Sequence, residues 1–155
     1  MSIHRIGVIG AGTMGNGIAQ ACAVSGIEVV MVDIAQPAVD KGIATVGASL
    51  ERLVKRDKLS AADRDAALAR IRGSTRYDDL KGLPLVIEAA TENLELKVKI
   101  LQQLDALLGE DTIVATNTSS ISITKLAAAT RRADRFIGMH FFNPVPMMAL
   151  VEIIR

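Results

Sequence analysis

The sequence predicts an α/β domain: a doubly wound, mostly parallel sheet with a helical hairpin inserted between its second and third strands. Short apolar runs alternate with loops and helical patterns along most of the chain, as they do in sheets that helices cover on both faces. The composition agrees, because Ala and β-branched residues are abundant while the chain has no Trp, one Tyr and three Phe. A long helical segment after the second run interrupts the alternation and predicts the inserted hairpin.

Chain length and charge narrow the class of protein. The 155 residues are enough for one domain with a proper core, and half of them are apolar. The net charge of +1 does not favour nucleic acid or an anionic membrane as partner, and no apolar run approaches the ~20 residues that span a bilayer. A single cysteine, Cys22, allows neither an internal disulfide nor a cysteine-based metal cluster. We therefore expect no metal and a reducing, cytoplasmic location.

Six runs are predicted to be buried parallel strands. They are Ile6–Ile9, Glu28–Val32, a weaker one near Ser74–Tyr77, Leu85–Glu88, Thr112–Ala115 and Phe136–Met139. Helical spacing predicts three helices beside the inserted hairpin. They run from about Met14 to Ser25 with Gly26 as C-terminal cap, from near Asn93 onwards, and over Ser122–Thr130.

The inserted hairpin lies between Pro37 and Arg72. In its first half, apolar residues recur on one side of a helix; they are Val46, Leu50, Leu53 and Val54. Ser60 and Asp63 resemble a capping box that opens a second helix, with Asp in place of the usual Glu. We expect this hairpin to protrude from the sheet.

A glycine-rich loop directly follows the first strand and opens the first helix. Its pattern is Gly10-x-Gly12-x-x-Gly15, with Thr13 and Met14 between the last two glycines. Gly10 permits a tight turn, Gly12 lets the backbone approach a pyrophosphate, and Gly15 allows close packing of helix on strand. The helix N-terminus adds unpaired N–H groups and a positive dipole end. Glycines also serve ordinary turns, but this context predicts a Rossmann-type dinucleotide site.

An acidic residue, Asp33, follows the second strand 18 residues after Gly15. A carboxylate at this position accepts hydrogen bonds from the ribose hydroxyls of adenosine. It also repels a 2′-phosphate, and no arginine follows within the next few residues. The predicted cofactor is therefore NAD rather than NADP.

Polar residues gather at the carboxyl ends of the predicted strands, where ligands bind in doubly wound sheets. After the glycine loop, they are Asp33, Glu88 with Glu92, Asn117 with Ser119, and His140. An imidazole that titrates near neutrality suits the base that takes a hydroxyl proton while a hydride leaves an alcohol. Glu152 would orient this ring if residues 143–148 fold back. The alternative for His140 is a structural histidine satisfied by backbone groups.

Other residues at this edge and on the hairpin also have two interpretations. Ser119 either hydrogen-bonds the reacting oxygen or belongs to a helix cap. Glu92 and Lys97 flank the start of the helix after the fourth strand, where solvated charges are the default. On the hairpin, Arg52 and Arg56 share a helix face that would suit an anionic part of a substrate, although spacing alone favours a solvated basic face.

Four blocks of sequence together resemble the 3-hydroxyacyl-CoA dehydrogenases, particularly the bacterial 3-hydroxybutyryl-CoA dehydrogenases. The blocks are residues 6–15 (IGVIGAGTMG), 86–94 (VIEAATENL), 117–120 (NTSS) and 140–146 (HFFNPVP). The resemblance covers the whole chain, and the last two blocks are more specific than the glycine loop.

The resemblance implies roles for individual residues. His140 matches the catalytic acid/base, Glu152 its carboxylate partner, and Ser119 the serine that contacts the 3-oxygen of the substrate. The residues expected near the cofactor, beside the glycine loop and Asp33, are Glu92, Lys97, Asn117, Ser119 and Asn143. On the hairpin, the positions expected to contact coenzyme A are Ser49, Arg56 in place of a lysine of some members, and, more weakly, Arg52.

The implied reaction is the reversible oxidation of a (3S)-3-hydroxyacyl-CoA by NAD, with 3-hydroxybutyryl-CoA and acetoacetyl-CoA as the expected pair. One alternative is a non-enzymatic NAD-binding protein, as a lens crystallin resembles this family, but such a role needs no His140–Glu152 pair. Another is a different NAD-dependent hydroxy-acid dehydrogenase, which would lack the block that begins at His140. A multifunctional fatty-acid oxidation protein is less favoured, because Met1 lies directly before the first strand.

The family continues into a helical C-terminal domain that supplies dimerisation and a further active-site asparagine, and this sequence has neither. We therefore expect residues 1–155 to be one NAD-binding domain, truncated at its C-terminal end. Leu150–Ile154 is expected to be a strand without its pairing partner, which leaves an apolar edge. The chain alone is expected to bind NAD with little turnover, and the full-length enzyme to form a homodimer.

Overall fold

The computed structural model describes residues 2–155, whose strands form a seven-stranded sheet. The strands are β1 (Arg5–Ile9), β2 (Glu28–Val32), β3 (Ile71–Ser74), β4 (Leu85–Glu88), β5 (Ile113–Thr116), β6 (Phe136–Phe141) and β7 (Val151–Ile154). Their order in the sheet is β3-β2-β1-β4-β5-β6-β7. Neighbouring strands are parallel up to β6, and β7 is antiparallel to β6. The predicted fold class is confirmed.

Helices cover both faces of this sheet. Within the described range they are α1 (Thr13–Val24), α2 (Gln36–Lys55), α3 (Ala61–Ala69), α4 (Leu94–Leu107) and α5 (Ile123–Ala128). In β1, Val8 packs in one cluster with Ile18 of α1, whereas Ile9 packs in another with Leu101 of α4. Successive strand residues point to opposite faces, so each face has its own core. No helix within residues 2–155 combines the length and apolar character needed to cross a bilayer.

Helix ends follow the local signals in the sequence. Ser60 accepts the Asp63 N–H at 3.0 Å and starts α3, which is the first of the two hydrogen bonds of the predicted capping box. Asn93 accepts the Leu96 N–H at 3.0 Å and starts α4. After α1, Gly26 adopts a positive φ of 92°, the conformation that a C-terminal glycine cap provides.

The third strand lies earlier in the chain than predicted. It covers Ile71–Ser74, where it pairs with β2. Ser74 ends the strand, because its hydroxyl accepts the Arg76 N–H at 3.0 Å and donates to Asp79 at 2.6 Å. The chain then enters a short 3-10 helix at Tyr77. The prediction of a strand over Ser74–Tyr77 was therefore wrong.

The inserted hairpin consists of α2 and α3, but it does not protrude as expected, because both helices pack on α1. Ala23 of α1, Val46 and Leu50 of α2, and Ala67 of α3 form one fully buried cluster. Near the start of α2, a Cβ added to Gly42 would stand only 2.7 Å from the carbonyl oxygen of the glycine loop's Ala11. Burial of the predicted apolar side therefore holds α2 against the body of the domain.

The last strand was expected to lack a partner, and this was wrong. β7 pairs with β6 in a register that sets Gly138 opposite Ile154 and Phe141 opposite Val151. The side chains of Leu150 and Ile153 remain exposed, and within residues 2–155 no strand pairs with the outer edge of β7. The expected apolar edge is thus present, and it is the outer edge of β7, the last strand of the sheet.

A buried arginine, Arg132, lies at the end of the sheet where β5 and β6 begin. Arg132 donates from Nε to Asp105 Oδ1 at 2.7 Å. Its other donors reach backbone carbonyls at the end of α4 and in the following turn; these belong to Asp105, Leu108, Gly109 and Thr112. The guanidinium thereby satisfies carbonyls that a helix C-terminus leaves without partners.

Candidate active site

The parallel strands bring the predicted polar residues to one edge of the sheet. Asp33 follows β2, Glu88 ends β4, Asn117 follows β5, and His140 is the second-last residue of β6. Because β1, β2, β4, β5 and β6 all run in the same direction, their carboxyl ends meet where the glycine loop lies. The predicted gathering of these residues at one edge is confirmed.

The glycine loop has the geometry that a pyrophosphate needs. Gly10 adopts φ 103°, and a Cβ there would meet the Ala89 carbonyl oxygen at 2.7 Å. A Cβ on Gly15 would overlap the Gly10 oxygen at 1.8 Å, whereas a Cβ on Gly12 would meet nothing within 4 Å. The outer glycines are therefore required by the fold, and the middle one borders open space. The N-cap of α1 is Gly12, which has no side chain to pair the first N–H groups of the helix, so these stay available to a phosphate.

One cleft beside the loop suits adenosine. It encloses about 340 Å³ between Gly10, Asp33, Tyr77, Leu96 and Gln103, with other residues of β1 and α4. The Asp33 carboxylate accepts the Ala11 N–H at 3.1 Å, which ties it to the glycine loop. A carboxylate has further lone pairs for ribose hydroxyls. Burial raises the pKa of Tyr77, and the charges of Asp33 and Glu88 add to the effect, so its phenol is a neutral wall of this cleft.

A second cleft, of about 260 Å³, lies on the other side of the loop. Its walls are Gly12, Thr13 and Met14 of the loop and helix start, residues 89–92 after β4, Lys97 of α4, and Asn117. Glu92 is exposed but held in place, since it accepts hydrogen bonds from Thr118 at 2.8 Å and Ser120 at 3.0 Å. Asn117 accepts the Phe141 N–H at 2.9 Å and so joins the end of β5 to the end of β6.

Lys97 is buried, so the default of a solvated side chain was wrong. Its side chain is 1% exposed, and its ammonium pairs with Glu88, which is 0% exposed. Thr116 completes the group: its hydroxyl accepts from Lys97 at 3.3 Å and donates to Glu88 at 2.9 Å. The second Glu88 oxygen accepts the Ala90 N–H at 2.9 Å. These contacts fix both the lysine and the loop after β4 that lines the second cleft.

His140 and Glu152 stand directly opposite each other on β6 and β7. Nδ1 of the imidazole lies 3.9 Å from Oε1 of the carboxylate, within ion-pair range but beyond hydrogen-bond length. The Phe142 ring packs against the imidazole with centroids 4.5 Å apart and planes at 46°. The histidine side chain is 22% exposed and the glutamate 57% exposed. The carboxylate thus faces Nδ1 and leaves Nε2 for another group.

The remaining predicted residues are half-buried or exposed. Ser119 and Asn143 are exposed beside the ends of β5 and β6, and the cap of α5 is Ser122, not Ser119. The predicted coenzyme A residues lie along the second half of α2 and at its C-terminal cap, with Ser49 roughly 10 Å and Arg56 roughly 20 Å beyond Gly42 at the helical rise per residue. Arg52 and Arg56 are solvent-exposed.

The model of a known family matches this chain almost from end to end. The 3-hydroxyacyl-CoA dehydrogenase NAD-binding domain matches residues 5–155. The chain belongs to this family. The family, the fold and the NAD cofactor predicted from the sequence are therefore confirmed.

Relatives of this domain occur in two kinds of protein. A 3-hydroxybutyryl-CoA dehydrogenase from Bradyrhizobium diazoefficiens is 50% identical over 153 residues, 99% of this chain and 52% of that protein. The fatty acid oxidation complex subunit alpha of Acinetobacter baylyi is 46% identical over 99% of this chain and 21% of that protein. The crystal structure of (S)-3-hydroxybutyryl-CoA dehydrogenase from Ralstonia eutropha superposes with a TM-score of 0.96 at 70% identity, covering 98% of this chain and 54% of that one. The chain spans about half the length of the 3-hydroxybutyryl-CoA dehydrogenases that it matches.

The buried Glu88–Lys97–Thr116 group is the part of the site that sequence reasoning missed. A signal for it was present, because Lys97 lies at helical spacing between Leu94 and Leu101, in the apolar stripe of α4. A lysine in such a stripe is buried with its helix and needs an acceptor. Glu88, at the end of the neighbouring strand, is that acceptor.

Proposed function

We propose that this NAD-binding domain carries the catalytic base of an NAD-dependent dehydrogenase that interconverts (3S)-3-hydroxyacyl-CoA and 3-oxoacyl-CoA thioesters. The expected substrate pair is 3-hydroxybutyryl-CoA and acetoacetyl-CoA. The observation that carries the proposal is the opposed pair of His140 and Glu152 at the sheet edge where the glycine loop opens. The names of the relatives in both kinds of protein agree with this chemistry.

The bound cofactor supplies the acceptor or donor of a hydride. The glycine loop and the start of α1 hold its pyrophosphate, and Asp33 receives the adenosine ribose in the first cleft. Glu92, Lys97 and Asn117 line or border the second cleft and hold the nicotinamide riboside, with Asn143 nearby.

His140 moves the proton. Its Nε2 takes the proton of the 3-hydroxyl during oxidation and returns it during reduction. Glu152 faces Nδ1 within ion-pair range and stabilises the imidazolium that forms. Ser119 donates a hydrogen bond to the 3-oxygen. The phosphates of coenzyme A lie along α2 and its C-terminal cap, where Ser49, Arg52 and Arg56 bind them.

The test is NADH-dependent reduction of acetoacetyl-CoA by the full-length gene product. His140→Gln is expected to lower kcat by about 10²- to 10⁴-fold, because it removes the acid/base while the cleft stays intact. The KM for NADH is expected to stay within about twofold, because His140 acts on the proton of the substrate and other residues hold the cofactor. The matched control is His4→Gln, because His4 hydrogen-bonds exposed Ser2 far from the cleft and its loss should leave kcat unchanged.

Two results would contradict the proposal. If His140→Gln retains the parent rate, the imidazole is not the base. If the full-length product binds NADH and turns over no thioester, it is a non-enzymatic NAD-binding protein of the crystallin kind. Little turnover by residues 1–155 alone, a homodimer formed through a C-terminal domain, and a cytoplasmic location stay predictions.

A further inference from the structure

The Glu88–Lys97 pair is a costly feature of this site. Removing two charges from water carries a desolvation penalty that their attraction only partly offsets, and well-packed apolar residues are often as stable in such places. Both side chains are almost completely buried, and the pair adjoins the second cleft. Stability alone is therefore a weak explanation for it.

The ammonium of Lys97 has a donor to spare for a ligand. Lysine carries three N–H donors. One points to Glu88 and one to Thr116, and the side chain also forms part of the wall of the second cleft. The third N–H is therefore available to a group bound in that cleft. Glu88 also accepts the N–H of Ala90, another residue that lines this cleft.

The position of this cleft relates the pair to the reactive end of the cofactor. The first cleft contains Asp33 and takes adenosine, so the second cleft, between the glycine loop and Asn117, takes the nicotinamide riboside. Asn117 joins this cleft to β6, the strand of His140. The nicotinamide ring is positively charged when oxidised and neutral when reduced. A lone ammonium beside it would weaken binding of the oxidised form selectively.

We propose that Glu88 is a positioning residue that aims the Lys97 ammonium at the nicotinamide riboside and cancels its charge, so that the oxidised cofactor is not repelled. This inference rests on the NAD site proposed above. It assigns to Glu88 an effect on the preference between the two redox forms of the cofactor, in addition to its effect on overall affinity.

The test compares dissociation constants of NAD⁺ and NADH for this chain and for Glu88→Gln, by titration calorimetry. The substitution keeps the size of the side chain and an acceptor oxygen but leaves the Lys97 charge uncompensated. We expect the ratio of the NAD⁺ to the NADH dissociation constant to rise roughly tenfold, the effect of unit charges about 10 Å apart at an effective dielectric constant near 20. General damage to the cleft would weaken both forms alike and leave the ratio unchanged.

A second substitution carries the test if Glu88→Gln does not fold. Lys97→Met leaves the carboxylate uncompensated, so the ratio is expected to fall below that of the parent. The double variant Glu88→Gln with Lys97→Met is neutral again and should return the ratio to within about twofold of the parent, because the two opposite charge effects on the ratio cancel. Asp105→Asn is the matched control, because it breaks a buried ion pair at the other edge of the sheet and should leave the ratio unchanged.

The outcomes separate the inference from the proposed function. A parent chain that binds neither redox form would overturn the proposed NAD site and this inference with it. A parent that binds both forms, with ratios in Glu88→Gln and Lys97→Met equal to its own, would overturn the inference alone. Opposite shifts in the two single variants, cancelled in the double variant, would support it.

Discussion

Within residues 2–155 the domain buries two ion pairs at opposite ends of its strands, and their cations differ in the number of N–H donors that remain unused. Asp105 and Arg132 lie where β5 and β6 begin, and the guanidinium makes five hydrogen bonds, one to the carboxylate and four to backbone carbonyls. Arginine has five N–H donors, so none remains. Glu88 and Lys97 lie where the parallel strands end, and two donors of the ammonium are used. One donor remains there, beside a cleft.

The difference shows that the shape of a buried cation and the number of its unused donors indicate its role. A planar guanidinium suits several fixed carbonyls at once and so works as a brace between α4 and the turn before β6. An ammonium is a compact charge whose unused donor is available to a partner that comes and goes. We therefore expect Arg132 to serve the stability of the fold, and Lys97 the binding of the proposed cofactor.

The largest expected effect is on the free energy of unfolding, when the Arg132 brace is removed. Arg132→Met leaves the Asp105 carboxylate buried without its cation and four carbonyls without a donor, so the free energy of unfolding should drop by about 3–5 kcal/mol. Denaturant unfolding measures this, and the NADH affinity of the folded fraction should not change. Arg131→Met is the matched control, because the Arg131 side chain is 83% exposed and contributes less than about 1 kcal/mol. Equal losses in the two variants would refute the brace.

A smaller effect appears in acid. Burial raises the pKa of the Asp105 carboxyl, but hydrogen bonds from the Arg132 side chain and the Arg131 N–H outweigh burial and hold the pKa below its ordinary value of 3.8. A group with a lowered native pKa contributes stability above its unfolded pKa and loses it as the pH falls through the native pKa. The free energy of unfolding should therefore decrease below about pH 4, and the decrease should be shallower in Asp105→Asn.

Unfolding curves of parent and variant between about pH 5 and about pH 2.5 measure this difference. The comparison is made on slopes, because the substitution also lowers the stability at neutral pH. Parallel acid limbs in the two proteins would mean that Asp105 is not held in its charged form by the arginines.

The smallest effect on stability is expected at the other pair. Replacing both partners, as Glu88→Leu with Lys97→Met, removes two desolvated charges together and should change the free energy of unfolding by no more than about 1 kcal/mol in either direction. The affinity for NADH should nevertheless fall about tenfold or more, since the spare donor is gone. A variant that keeps full NADH affinity would show that this pair is as structural as the brace.

Local signals made most of the fold predictable, and long-range contacts account for the errors. The glycine loop that opens α1, five of the six strand runs and the helix starts near Ser60 and Asn93 each depend on residues a few positions apart, and these were confirmed. The third strand was misplaced because its end is set by the Ser74 side chain turning the backbone toward Asp79. The hairpin was expected to protrude because nothing local indicates that α1 offers it a surface.

The candidate site was predictable to a similar degree. Topology alone places Asp33, Asn117 and His140 at one edge once the strands are known to be parallel. The buried lysine was not predicted, because whether Lys97 is solvated depends on a carboxylate nine residues earlier on another element. Arg132 was not singled out at all, since its partners are a helix end and a turn that come together only in the folded chain.

The antiparallel pairing of β6 with β7 makes the register of these two strands critical. Side chains alternate between the two faces of a strand, so sliding β7 by one residue would turn the Glu152 carboxylate to the opposite face of the sheet from the imidazole. Surface loops ordinarily tolerate insertions, and a change of length between Phe142 and Leu150 keeps His140 opposite Glu152 only where the loop absorbs it without sliding β7, or where a bulge restores the pairing. The proposed acid/base pair thus depends on the register of two strands as much as on the identity of its two residues.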